Sequence, residues 1–172
     1  MDEALILTGF MGAGKTATGR ALSDLLGWDF VDLDEEVEAA AGKSIPAIFA
    51  EDGEARFRDL ESEALAGVLV RRRTVVATGG GVLVRGENRK LLEGRRVYYL
   101  HVSPGECLRR LRASPVSRPL LAGPDPEAAA TRIYQGRRAL YESVGRRVET
   151  EGRTPEEVAA GIAREVRGED AR

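Results

Sequence analysis

The run Gly9-Phe10-Met11-Gly12-Ala13-Gly14-Lys15-Thr16 constrains this chain more than any other stretch. It fits the pattern G-x-x-x-x-G-K-[ST] and lies between a short apolar segment and a longer amphipathic one, the context in which the pattern binds nucleotide phosphates. Each position has a chemical reason. Glycines let the backbone turn with its N–H groups inward, forming a nest for phosphate oxygens. The following helix adds the positive end of its dipole. Lys15 can neutralise the β- and γ-phosphates, and Thr16 can offer its hydroxyl to Mg2+. Gly12, Ala13, Gly14, Lys15, Thr16 and Ala17 are therefore the candidate ATP contacts.

The surrounding segments set the fold class. Residues 4–8 read as a buried strand, and a helix is expected from Lys15 to Leu26, closed by Gly27. Further strands are expected at 29–33, 74–78 and 96–102, with a short fifth near Arg147–Thr150. Helical segments should fill most of 34–72, broken at Gly42–Pro46. Ser103-Pro104-Gly105-Glu106 and Thr154-Pro155-Glu156-Glu157 both read as capping boxes with proline at the first helical position, and Asp125-Pro126 starts another helix. Strands alternating with helices imply a parallel sheet covered on both faces, with ligands beyond the carboxyl ends of the strands. The stretch 112–125 lacks periodicity, holds three prolines and reads as an exposed, mobile loop.

Composition narrows the function classes. At 172 residues, with 42 % apolar and 31 % charged side chains, one ordinary soluble domain spanning 1–172 is expected. The formal charge of −2 supplies no bulk attraction to nucleic acid or an acidic membrane. No apolar run approaches the roughly 20 residues of a membrane span. No basic leader with an apolar stretch opens the chain, and the single cysteine, Cys107, permits no intrachain disulfide, so a cytoplasmic location is expected; a monomer is expected as well. An Asn-Lys-x-Asp guanine signature is absent, since lysine occurs only at 15, 43 and 90.

The remaining candidates each admit two readings. Asp32 and Asp34 follow the second strand; they can serve a metal and an acceptor, or act as a helix cap and a first-turn acid. Arg58 and Glu61, at i and i+3, form on spacing alone a solvated ion pair. Phe49 and Phe57 read as core, and Gly79-Gly80-Gly81 as a turn or as a place where backbone approaches a ligand. Arg118 is an inert loop residue or an arginine that closes on the transferring phosphoryl group. His101, the only histidine, reads as structural, and Cys107 as a packed small residue.

Together and in order, several segments resemble the shikimate kinase family over nearly the whole chain. They are the Gly9–Thr16 run, Asp32-Leu33-Asp34, the stretch from Phe49 to Glu61, and Gly79-Gly80-Gly81. Ser117-Arg118-Pro119-Leu120-Leu121 and Arg137-Arg138-Ala139-Leu140-Tyr141 complete the set. The resemblance implies a P-loop nucleoside-monophosphate-kinase-like fold: α/β, three layers (α/β/α), with a central five-stranded parallel sheet. It also implies an ATP-dependent transferase of the shikimate pathway of aromatic amino-acid biosynthesis, with Mg2+ as cofactor and shikimate as acceptor. By the same resemblance Asp32 holds Mg2+ beside Thr16, and Asp34 bonds the acceptor hydroxyls and acts as base. Arg58, Gly80 and Arg137 bind the acceptor within a helical region of about 34–61. Phe49, Phe57, Glu61, Gly79 and Gly81 line or brace that pocket. Arg118 belongs to a lid over about 112–125 and is a catalytic group with Lys15. Arg110, Arg153 and Pro155 form the adenine-side wall. Ala139 stands where the family often has proline, which leaves Arg138 a rival to Arg137. Another small-molecule P-loop kinase, for gluconate or a nucleoside monophosphate, and a nucleotide-dependent switch module are the alternatives.

Overall fold

The structure, a computed structural model, describes residues 3–113, 119–121 and 123–170. Five strands form one sheet: β1 (Leu5–Thr8), β2 (Asp29–Asp32), β3 (Thr74–Ala77), β4 (Arg96–His101) and β5 (Arg146–Glu149). Their order is β2-β3-β1-β4-β5 and all four pairings are parallel. The central strands β1 and β3 are buried along their whole length, as strands covered on both faces must be. The edge strand β5 instead carries charge: Arg146 pairs with Glu165 and Arg147 with Glu149, which blunts an edge open to further pairing. Its span starts one residue earlier than expected and ends at Glu149. The other expected strands run one residue too long: β1 begins at Leu5 instead of Ala4, and β2, β3 and β4 each end one residue earlier than expected.

Eight α-helices connect the strands among the described residues: α1 (Lys15–Leu26), α2 (Leu33–Ala41), α3 (Ile45–Glu51), α4 (Gly53–Val68), α5 (Gly86–Leu92), α6 (Pro104–Arg112), α7 (Pro126–Val144) and α8 (Pro155–Asp170), with a short 3-10 turn at Pro119–Leu121. Helix α1 packs on α8 and on β3. Its contact with β2 is close: a Cβ on Gly19 would lie 2.5 Å from the Phe30 ring, so only glycine fits. One core cluster joins the sheet to α1, α8 and the flanking helices; a smaller one, Val37, Ile48, Phe57 and Leu60, holds α2, α3 and α4 together.

The two expected capping boxes differ. Thr154 and Glu157 exchange both bonds, Oγ1 accepting from the Glu157 N–H at 3.2 Å and the Glu157 carboxylate accepting from the Thr154 N–H at 2.8 Å. Ser103 accepts from the Glu106 N–H, but the Glu106 carboxylate turns to Arg109 and Arg110 instead. The second box is therefore half formed, because guanidinium groups compete better for a carboxylate than one backbone amide does. Asp125 caps α7 as expected, its Oδ1 accepting from the Ala128 N–H at 2.9 Å.

Candidate active site

The glycine run follows β1 and ends in α1. Gly12 and Gly14 have φ of 81° and 87°, left-handed values that favour glycine. Gly14 is the N-cap of α1 and no side chain caps the first turn, so that turn's N–H groups face the loop. Lys15 Nζ donates to the carbonyl oxygens of Gly9 and Phe10, both at 2.9 Å, and so braces the loop. Beside it Thr16 Oγ1 donates to Asp32 Oδ2 at 2.7 Å.

Asp32 closes β2 and caps α2: its Oδ1 accepts from the Asp34 N–H at 3.0 Å. The strand does not persist to Asp34, which lies in the first turn of α2. Asp32 is thus a helix cap and Asp34 a first-turn acid, and both line the same cavity. A hydroxyl and a carboxylate oxygen held 2.7 Å apart are hard oxygen donors suited to Mg2+. Among the described residues no cluster of three or more His, Cys, Asp or Glu could hold a metal alone. A bound ion would therefore complete its shell with nucleotide and water oxygens, as Mg2+ commonly does.

Three adjoining cavities meet at this point. The central one, about 320 Å³, is lined by Gly12, Gly14, Lys15, Thr16, Ala17, Asp32 and Asp34 and by Gly79 and Gly80 from the end of β3. A second, about 510 Å³, runs toward α8 past Gly12, Ala13, Arg110, Thr150, Arg153 and Pro155. The third, about 540 Å³, opens toward α2, α3 and α4. Asp34, Phe49, Phe57, Arg58, Glu61, Gly79, Gly80, Gly81 and Arg137 line it, together with Glu35, Glu38, Pro119 and Leu120. All the acceptor candidates thus surround one cavity, and all the adenine-side candidates another. Arg118, with residues 114–117 and 122 of the 112–125 segment, lies outside the described residues; Pro119–Leu121 is half-buried against the third cavity rather than exposed.

The Arg58–Glu61 pair is not a solvated one. Arg58 is 6 % and Glu61 1 % exposed, with Nη1 to Oε2 at 2.7 Å. Glu54 Oε1 accepts from Arg58 Nε and Nη2. Burial pushes the Glu61 carboxyl above its usual range, and Arg58 pulls it partly back. Glu61 Oε1 has no hydrogen-bond partner among the described residues. The glycines are required here by close approach. A Cβ on Gly81 would lie 2.3 Å from Arg58 Nη1. One on Gly79 would lie 2.8 Å from Glu61 Oε1 and 2.9 Å from Asp34 Oδ1. The Phe49 and Phe57 rings pack 4.8 Å apart at a tilt of 41° and serve as core and cavity wall together. Arg137 lines the cavity, its Nη1 donating to the Gly80 carbonyl at 3.1 Å. Arg138 points outward to Glu142, with its side chain 59 % exposed.

Several site residues were not singled out from the sequence. Glu106 holds Arg110 Nε at 2.7 Å while Arg110 Nη1 reaches the Gly12 carbonyl at 3.2 Å. Its two arginines, Arg109 first and then Arg110, hold the Glu106 carboxyl down at about 2. Thr150 accepts from Arg110, a contact that no local signal announces. Glu54 lies one helical turn before Arg58, a spacing that announces it in retrospect. His101 contacts Glu149 and Tyr134 outside the three cavities, and Cys107 is buried with its Sγ 3.0 Å from the Met11 carbonyl oxygen.

The shikimate kinase family model matches residues 11–167. The chain belongs to the shikimate kinase family. It is 48 % identical to a shikimate kinase of Synechococcus sp. (strain CC9605), over 93 % of this chain and 80 % of that one. A shikimate kinase of Thermodesulfovibrio yellowstonii is 44 % identical over 94 % and 93 % of the two chains. Among solved structures, shikimate kinase from Acinetobacter baumannii in complex with shikimate superposes with a TM-score of 0.93 at 34 % identity. That match covers 100 % of this chain and 97 % of the other. In this chain the Gly9–Thr16 and Gly79–Gly81 runs follow β1 and β3 at the carboxyl edge of the parallel sheet.

Proposed function

We propose that the chain transfers the γ-phosphoryl group of Mg-ATP to the 3-hydroxyl of shikimate, giving shikimate 3-phosphate and ADP. Family membership supports this reading. The observation that carries it is a cavity walled by two arginines, Arg58 and Arg137, that shares Asp34, Gly79 and Gly80 with the phosphate cavity. Guanidinium groups suit a carboxylate because the planar fork matches its two oxygens.

Within this proposal the nucleotide phosphates occupy the amide nest of the Gly9–Thr16 loop and the adenine side lies between Arg110, Arg153 and Pro155. Lys15 exchanges its loop carbonyls for β- and γ-phosphate oxygens. Thr16 and Asp32 hold Mg2+, which when bound neutralises charge on the phosphates. Arg58 and Arg137 grip the acceptor carboxylate and aim one hydroxyl at the γ-phosphorus, so the reaction gains from orientation. Glu61 and Glu54 keep Arg58 in place; Phe49, Phe57 and the Gly79–Gly81 strip shape the wall. Asp34 bonds the attacking hydroxyl and accepts its proton, while the phosphorus–oxygen bond to ADP breaks and the new one forms in line. In a loose transition state that proton leaves late, which gives positioning more weight than basicity. Arg118 closes over the phosphates and helps exclude water, which would otherwise be phosphorylated in place of the acceptor.

The test is ADP release from Mg-ATP by the purified chain, with and without shikimate, beside quinate, gluconate and AMP. Release strongly dependent on shikimate, with stoichiometric phosphorylated product, is expected. Release driven by another acceptor discards the acceptor assignment. Tight ATP binding with no acceptor dependence discards the kinase.

A further inference from the structure

The carbonyl oxygen of Gly80 is held twice from α7. Arg137 Nη1 donates to it at 3.1 Å, and the hydroxyl of Tyr141, one turn further along the same helix, donates to it as well. Tyr141 is fully buried, and its ring stacks on Tyr99 at 5.3 Å with 17° between the planes. Stacking fixes the ring, and the ring fixes where the hydroxyl points. Burial pushes that hydroxyl up to about 12, so it remains a neutral donor at any working pH.

The Gly80 carbonyl and the Gly81 N–H belong to one planar trans peptide and point in opposite directions. Anchoring the carbonyl toward α7 therefore turns the Gly81 N–H away from α7. A glycine strip has no side chains to hold it, so its orientation must come from bonds to its backbone. The same carbonyl is the anchor for Arg137, whose guanidinium lines the acceptor cavity. Tyr141 itself lines none of the cavities of the site.

We infer that Tyr141 is a positioning residue for the acceptor: its hydroxyl fixes the Gly80–Gly81 peptide and, through the shared Gly80 carbonyl, the Arg137 guanidinium. It acts without touching either substrate. The inference rests on the proposed function only for the identity of the acceptor used in the test.

Tyr141→Phe keeps the stacked ring and removes one donor. The KM for shikimate is expected to rise roughly threefold to tenfold, with the KM for ATP within about twofold of wild type. In an Arg137→Lys background the same substitution should change the shikimate KM by a clearly different factor, because both side chains act on one carbonyl. A shikimate KM within twofold of wild type would overturn the inference. So would equal rises in both KM values, or the same factor in both backgrounds; those results would leave Tyr141 as packing alone. A chain that phosphorylates no shikimate at all sinks the proposed function instead, which keeps the two failures distinguishable.

Discussion

Asp34 lies in the first turn of α2, where its backbone N–H donates to Asp32 and the residue lines both the cavity at the Gly9–Thr16 loop and the one beside α2, α3 and α4. Asp34→Asn keeps size and backbone geometry but removes the negative charge. We expect kcat to fall by about 10²–10⁴ with an unchanged circular dichroism spectrum; near-wild-type turnover would remove Asp34 from the chemistry. Arg58 differs in kind, because it is both a ligand candidate and half of a buried ion pair. Arg58→Ala should raise the KM for shikimate on the order of 10- to 100-fold, far more than the KM for ATP, since it removes a carboxylate clamp. It should also destabilise the fold by about 3–5 kcal/mol in urea titration, because Glu61 is left buried without its partner. Equal effects on both KM values would place Arg58 elsewhere. The sequence could name both residues, but spacing alone made Arg58–Glu61 a surface pair. Burial of that pair depends on Gly81, whose missing side chain leaves room for the guanidinium.

Helix starts show how elements carry function as well as stability. The reciprocal box at Thr154 closes α8, whereas Ser103 caps α6 with one bond. Thr154→Ala should cost about 1 kcal/mol or somewhat more in urea unfolding, and Ser103→Ala less; the reverse ranking would mean that the second bond of the box adds nothing. The carboxylate that α6 does not spend on its own cap steadies Arg110 against the nucleotide loop. Glu106→Gln should therefore raise the KM for ATP roughly threefold to tenfold, leaving the KM for shikimate within about twofold. An unchanged ATP KM would show that Gly12 and Thr150 hold Arg110 without help. Most elements were legible in type and order, because apolar strands and capped helices alternate regularly; α5 was not, since no side chain caps its start. Boundaries were less so: β2 stops at Asp32 because that residue is already a cap.

At the scale of the molecule, the site lies where all five parallel strands end, and its acids are coupled to stability. Burial raises the Glu61 carboxyl above the ordinary 4.5, so folding favours its protonated form. That contribution is fully present below the unfolded-state pKa and is lost as pH rises through the raised folded value. Thermal unfolding of wild type and Glu61→Gln from pH 4 upward should reveal it. The midpoint of wild type relative to the variant should fall as pH rises, because glutamine cannot release a proton. A difference that is flat with pH, or of opposite slope, would mean that Arg58 holds Glu61 ionised throughout.

By itself the sequence determined the class of fold, the phosphate loop and the acids beside it. These rest on local rules: strand and helix periodicity, glycine where φ is positive, and a fixed spacing between lysine and threonine. The tertiary structure decided which of two adjacent arginines faces the cavity beside α2, α3 and α4. Arg137 turns toward the Gly80 carbonyl, while Arg138 turns to Glu142. It also decided that Glu106 serves Arg110 instead of its own cap, and that Tyr141 and Arg137 meet at one carbonyl 57 residues from Arg137 in the chain. Those choices depend on how helices rotate and pack against the sheet, which no spacing within one segment specifies.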